Sequence, residues 1–133
     1  MTLSLKLLGM IAAGGAIGAV LRYLLMVKVS LLMPVGMLFP WPTFAVNLLG
    51  AFLLGALIEV MALVWSPTPE VRAFLVIGLL GAFTTFSTFS MDLYAMIVRD
   101  QILAAVVYAM GSVLLCLAGF WLGLKLVRLG VNL

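Results

Sequence analysis

Four long apolar runs dominate this chain, at roughly 3–27, 43–64, 71–98 and 102–127. Each reaches or exceeds the ~20 residues that a bilayer-spanning helix needs. Backbone polar groups find no water in hydrocarbon, so such runs must bond internally as helices. The expected fold is therefore an all-α integral membrane protein, a single four-helix transmembrane domain over 1–133. Composition agrees, with 67% hydrophobic and only 8% charged residues, against roughly 25% charged in a soluble domain. The first run is too long, and followed by too many like it, to read as a cleaved signal peptide. The connections are short. Residues 33–42 (MPVGMLFPWP) carry three prolines and a tryptophan and read as a rigid exposed turn at an interface. Residues 65–70 (WSPTPE) read as a tight proline loop and 99–101 (RDQ) as a charged hairpin.

The chemical inventory excludes whole classes of function. Histidine is absent, which removes the commonest general base and metal ligand. Cys116 stands alone, so no intrachain disulfide or thiolate cluster can form, and it reads as a small packing residue. There is no phosphate-cradling loop and no acid pair at catalytic spacing, so the chain does not read as an enzyme. Its net charge of +3 comes from seven basic residues scattered at the ends of apolar runs. That is the pattern of membrane flanks in contact with lipid, and no basic cluster suits nucleic acid.

Four spans place both ends of the chain on one side. Lys6, Arg72, Lys125 and Arg128 fall there, against Lys28 and Arg99 on the other, joined by Arg22 if it reaches the surface. So slight a bias leaves two readings open. Either the termini face the cytoplasm, or copies insert both ways and pair antiparallel, building between chains the inverted repeat that larger transporters carry within one. Four short helices cannot readily enclose a polar path and shield it from lipid, which points to association of at least two chains. Gly14 with Gly18, Ala51 with Gly55, and Gly119 with Gly123 are small-xxx-small pairs that let helices approach closely.

Polar residues inside spans carry the functional expectation. Asn47 is either interhelical glue or an amide donor facing a passing ligand. Arg22 either snorkels to the interface or makes a vestibule attractive to anions. Glu59 and Asp92 either pair with basic residues or line water. Within the third run, residues 81–90 (GAFTTFSTFS) set five hydroxyls and three phenylalanines at membrane depth. Bonding back along the helix accounts for one such hydroxyl more easily than for five. Gly78, Gly81, Thr84 and Thr85 are poor helix formers, so the third helix is expected to break near 81–85. Irregular backbone at that depth must be buried in protein or line a cavity, and its freed carbonyls could hold a cation.

Beyond the break, helical spacing puts Phe86 and Phe89 on one strip, with Thr84, Ser87, Thr88 and Met91 on the next. Aromatic rings carry a positive edge. Ring edges, hydroxyls and an amide together can replace the hydration of a small anion without trapping it. The competing reading is ordinary aromatic and hydroxyl packing between helices.

These segments resemble the Fluc (CrcB-type) fluoride channel family in order along the chain. GGAIGAVLRY (14–23), NLLGAFLLG (47–55), GLLGAFTTFSTFS (78–90), and a fourth span carrying Tyr108 and Ser112 all match. Ala82 departs from the second glycine that the family often has after Gly81. The resemblance implies an antiparallel, dual-topology homodimer in the bacterial inner membrane, with two pathways for exporting cytoplasmic fluoride. It implies a structural sodium ion at the dimer centre, held by the backbone carbonyls of Gly81 and Thr84. It places Asn47, Phe86, Phe89, Ser87, Thr88, Ser90, Tyr108 and Ser112 along the fluoride pathway, and Arg22 at its mouth. The alternative is a small proton-coupled multidrug exporter of dual topology. Known exporters of that kind carry an acid in the first span, and residues 7–21 contain none.

Overall fold

The computed structural model describes residues 4–34 and 36–131. They form four helices long and apolar enough to span a membrane: α1 (Leu5–Leu32), α2 (Trp41–Leu63), α3 (Pro69–Val98) and α4 (Ile102–Val131). No strand occurs among the described residues. The chain is thus a multi-pass, all-helical membrane protein.

Helix ends follow local chemistry more closely than hydropathy. The charge at Lys28 marks the end of the first apolar run, yet α1 continues to Leu32. Met33 then turns extended ahead of Pro34, as a residue before proline must. Ser4 caps the start of α1 by accepting from the Leu7 N–H at 3.4 Å, and Thr68 caps α3 through the Val71 N–H at 3.4 Å. Pro42 and Pro69 sit in first turns, where a missing N–H costs nothing. Between α3 and α4, Asp100 adopts φ 58, a left-handed turn that aspartate tolerates better than most residues.

The 33–42 connection is not a simply exposed turn. Met37 and Leu38 do face outward. Phe39, however, folds under the chain against Trp41 (4.5 Å between ring centres), Phe44 (5.5 Å) and Tyr108 (5.2 Å). Aromatic area is too valuable in packing to leave outside when a neighbouring ring is in reach.

Two close helix pairs organise the bundle: α1 against the first half of α3, and α2 against α4. The small-residue pairs serve these contacts within one chain. A Cβ on Gly18 would run into the Leu79 carbonyl, and one on Gly55 into the Phe120 carbonyl. Gly78 is likewise pressed against Ile11 and Gly14 of α1. It is helical, so its role is close approach and not breakage.

The third helix is interrupted as expected, at a narrower place. Ala73–Leu80 winds as a π-helix and Gly81–Phe83 is α-helical. Thr84 and Thr85 are then extended, with ψ 160 and φ −150, before helix resumes over Phe86–Val98. Gly81 itself is helical, with φ −63. The two β-branched threonines, whose branching disfavours helix, form the break.

Candidate functional site

The break is held open by side chains that take over its backbone donors. In a continuous helix the Thr85 N–H would close on the Gly81 carbonyl, and the Thr88 N–H on the Thr84 carbonyl. Here the Thr85 N–H donates to Asn47 Oδ1 at 2.7 Å. The Thr88 N–H donates to Thr85 Oγ1 at 3.1 Å. Asn47 Nδ2 in turn donates to the Thr85 carbonyl at 3.0 Å. Asn47 therefore pairs with both polar groups of one residue and ties α2 to the break, with a second Nδ2 proton beyond this pair.

The Gly81 and Thr84 carbonyls lose their usual helical donors by this arrangement. Such oxygens suit a hard cation. No group of three His, Cys, Asp or Glu that could hold a metal occurs among the described residues. A cation here would rest on neutral carbonyl oxygens, which fits a monovalent ion better than a divalent one. The Thr84 carbonyl accepts instead from Arg22 Nη1 at 3.4 Å. Gly18 explains the reach: its contact with Leu79 and Phe83 brings α1 onto α3, and Arg22 lies one turn further on. Arg22 is ten residues (32 − 22) short of the end of α1, about 15 Å along the axis. The break, not the interface, is its partner.

The five hydroxyls divide. Thr84 Oγ1 bonds back to the Leu80 carbonyl at 3.1 Å, and Ser90 Oγ to the Phe86 carbonyl at 3.0 Å. Both satisfy themselves within their own helix, and Thr84 belongs to the first half of α3, not to a strip of the second. The other three form a cluster around Thr85, whose Oγ1 lies 3.2 Å from Ser87 Oγ and 3.0 Å from Thr88 Oγ1. Thr85 is buried and is the hub that sequence reasoning leaves out of the pathway. Its position directly before FSTFS, as a capping hydroxyl for a restarting helix, is the available signal.

Two recesses flank this cluster. One, of about 470 Å³, is an open groove lined by Asn47, Gly81, Thr84, Phe86, Phe89 and Ser112. The other, of about 530 Å³, is bordered by Trp41, Thr43, Thr88 and Asp92. Between them Phe89 stacks at 5.1 Å on Tyr108, which is fully buried and donates to Asp92 Oδ2 at 3.3 Å. Phe86 and Phe89 lie 5.4 Å apart, but Phe89 is 8% exposed and Phe86 77%. The Ser112 hydroxyl is buried on the first groove and has no partner among the described residues.

Glu59 stands apart from all of this. It is 4% exposed and receives Arg128 Nε at 2.6 Å, a clasp between α2 and α4. Lys6 pairs with Glu70 at 3.4 Å. Acids and bases thus meet near the ends of the helices, away from the hydroxyl cluster.

Residues 9–124 match the family described as CrcB-like protein, Camphor Resistance (CrcB). The chain is 46% identical over 127 residues to a protein of Rhodospirillum centenum named fluoride-specific ion channel FluC, covering 96% of this chain and 99% of that one. It is 45% identical over 119 residues to a protein of that name from Hahella chejuensis, covering 90% and 92%. A third, from Geobacter sulfurreducens and likewise named, is 43% identical over 118 residues, covering 89% and 94%. With likeness running through every helix that builds the break and its grooves, the chain belongs to the CrcB-like family.

Proposed function

We propose that this protein is a fluoride-selective passive channel that exports cytoplasmic fluoride and so lowers its toxicity. The observation that carries the reading is the first groove, in a chain so similar to proteins named as fluoride channels. It joins two phenylalanine rings to a buried serine hydroxyl that no protein group satisfies among the described residues. Ring edges and hydroxyls offer a small anion partial positive charge in place of its water. Neither rings nor hydroxyls carry a full charge of their own that would hold it. Asn47, Ser87, Thr88, Ser90 and Tyr108 extend the track on either side of the rings, and Arg22 stands at the break and not at a mouth. The chemistry is a channel's, not an enzyme's.

The working unit we infer is an antiparallel homodimer in the bacterial inner membrane, with chains inserted in both orientations and one pathway on each flank. The outward-facing Phe86 and the open groove support a second copy as the cover. A sodium ion, when bound by the Gly81 and Thr84 carbonyls, would supply fixed positive charge at the break. Asn47 and Thr85 serve that site by keeping backbone N–H groups away from it.

Proteoliposomes loaded with equal fluoride and chloride, with a potassium ionophore to hold the potential, test the reading. Fast fluoride loss with chloride retained is the expected result. Retained fluoride, from protein shown to be folded and inserted, would overturn it and return attention to proton-coupled export through Asp92.

A further inference from the structure

Arg22 is the one charged side chain hydrogen-bonded to the break among the described residues. Its guanidinium is a cation at the end of a flexible stem, so it can change place. The Thr84 carbonyl has two lone pairs and could in geometry accept both Arg22 and a metal ion. Charge decides otherwise. Two positive groups on one oxygen stand only a few ångströms apart, in surroundings of low dielectric where repulsion is strong.

We infer that Arg22 is an internal competitor for the cation at Thr84. The guanidinium holds the carbonyl when no cation does, and cation binding displaces it. The inference rests on the proposed sodium site at Gly81 and Thr84 and adds its regulation: Arg22 sets how tightly that site binds. The approach of α1 at Gly18 is what delivers the charge. A merely structural Arg22 would orient the carbonyl, and its removal would weaken sodium. A competitor's removal strengthens it, so the two roles differ in sign.

The experiment uses the whole protein in detergent, made sodium-free by dialysis. Its melting midpoint is titrated with sodium against N-methylglucamine at constant ionic strength. Arg22→Gln is expected to lower the half-saturating sodium concentration about tenfold or more, equivalent to ~1.4 kcal/mol. Arg22→Lys, which keeps the charge, stays near the native value. An unchanged or higher half-saturation in Arg22→Gln overturns the inference while leaving the sodium site intact. No sodium-specific shift in the native protein removes the site itself, and the inference with it. Should Arg22→Gln fail to fold, phenylglyoxal labelling of the native protein, read by mass spectrometry, decides between the same two roles. Sodium should speed modification of Arg22, and equal or slower labelling counts against displacement.

Discussion

Asn47 and Thr85 are paired reciprocally, the amide oxygen accepting the Thr85 N–H at 2.7 Å and the amide nitrogen donating to the Thr85 carbonyl at 3.0 Å. This pair connects α2 to the break in α3 and keeps the two halves of that helix from rejoining. Asn47→Ala leaves both backbone groups without partners at membrane depth. A loss of ~2–6 kcal/mol is expected, from about 1–3 per unsatisfied group. Fluoride flux should fall with it. Melting midpoint and liposome efflux, measured on the same preparation, check this; a dissociated but otherwise stable chain would instead make Asn47 an interchain contact.

Thr85 should be sensitive to loss of its hydroxyl and tolerant of loss of its methyl. Thr85→Val removes the cap on the Thr88 N–H, a change of about 0.5–2 kcal/mol, and takes the centre out of the hydroxyl cluster. Thr85→Ser keeps both. Flux well below native in the valine variant, restored in the serine variant, is the expected pair of results.

The two pathway phenylalanines should separate transport from stability. Phe86→Ile and Phe89→Ile are both expected to cut fluoride flux at least about tenfold, since neither replacement has a ring edge. Phe89→Ile should lower the melting midpoint more than Phe86→Ile, because Phe89 is buried against Tyr108 within the chain while Phe86 is 77% exposed there and is left to the proposed second copy to cover. Losing that ring pair is worth roughly 0.5–1.5 kcal/mol. Near-native flux in both variants would remove the ring-edge mechanism.

Gly55→Ala tests the α2–α4 seam. The added carbon meets the Phe120 carbonyl, a backbone atom that cannot swing aside, and overpacking of this kind costs ~1–3 kcal/mol. Gly9→Ala has open space around it and should melt like the native protein. The difference between the two midpoints is the measurement.

For Glu59 and Arg128 the informative result is a reversal. Arg128→Ala strands a carboxylate that is 4% exposed, so it should melt earlier than native. Adding Glu59→Gln removes the stranded charge, and the double variant should recover part of the loss. A double variant less stable than Arg128→Ala would mean that Glu59 has another partner.

Much of this architecture is legible in the residues. Hydropathy alone marks four spans, and the crowd of hydroxyls and poor helix formers marks the break. What escapes depends on contacts distant in sequence or on geometry without a compositional trace. Nothing in TFAVNLLGAF indicates that Asn47 meets residue 85, because that registry is set by how α2 leans on α3. The expected hydroxyl strip mixes Thr84 with Ser87 and Thr88, since it carries helical spacing across a point where the helix stops. The 33–42 segment reads as exposed because prolines and a tryptophan suit an interface. The inward packing of Phe39 follows from Tyr108, a residue on the last helix. Lys28 resembles a boundary, whereas Pro34 is the true one.

The π-helical stretch at Ala73–Leu80 makes α3 a helix whose two ends are timed separately. Its hydrogen bonds skip one residue more than those of an α-helix. Deleting a single residue there would let the segment tighten into ordinary α-helix with its bonds intact. The wider turns already absorb that residue, so the two sides would keep nearly the same facing. The same deletion in an α-helical stretch has no such slack and would turn everything beyond it by about 100°, leaving every residue of TTFSTFS in the chain but aimed at the wrong neighbours.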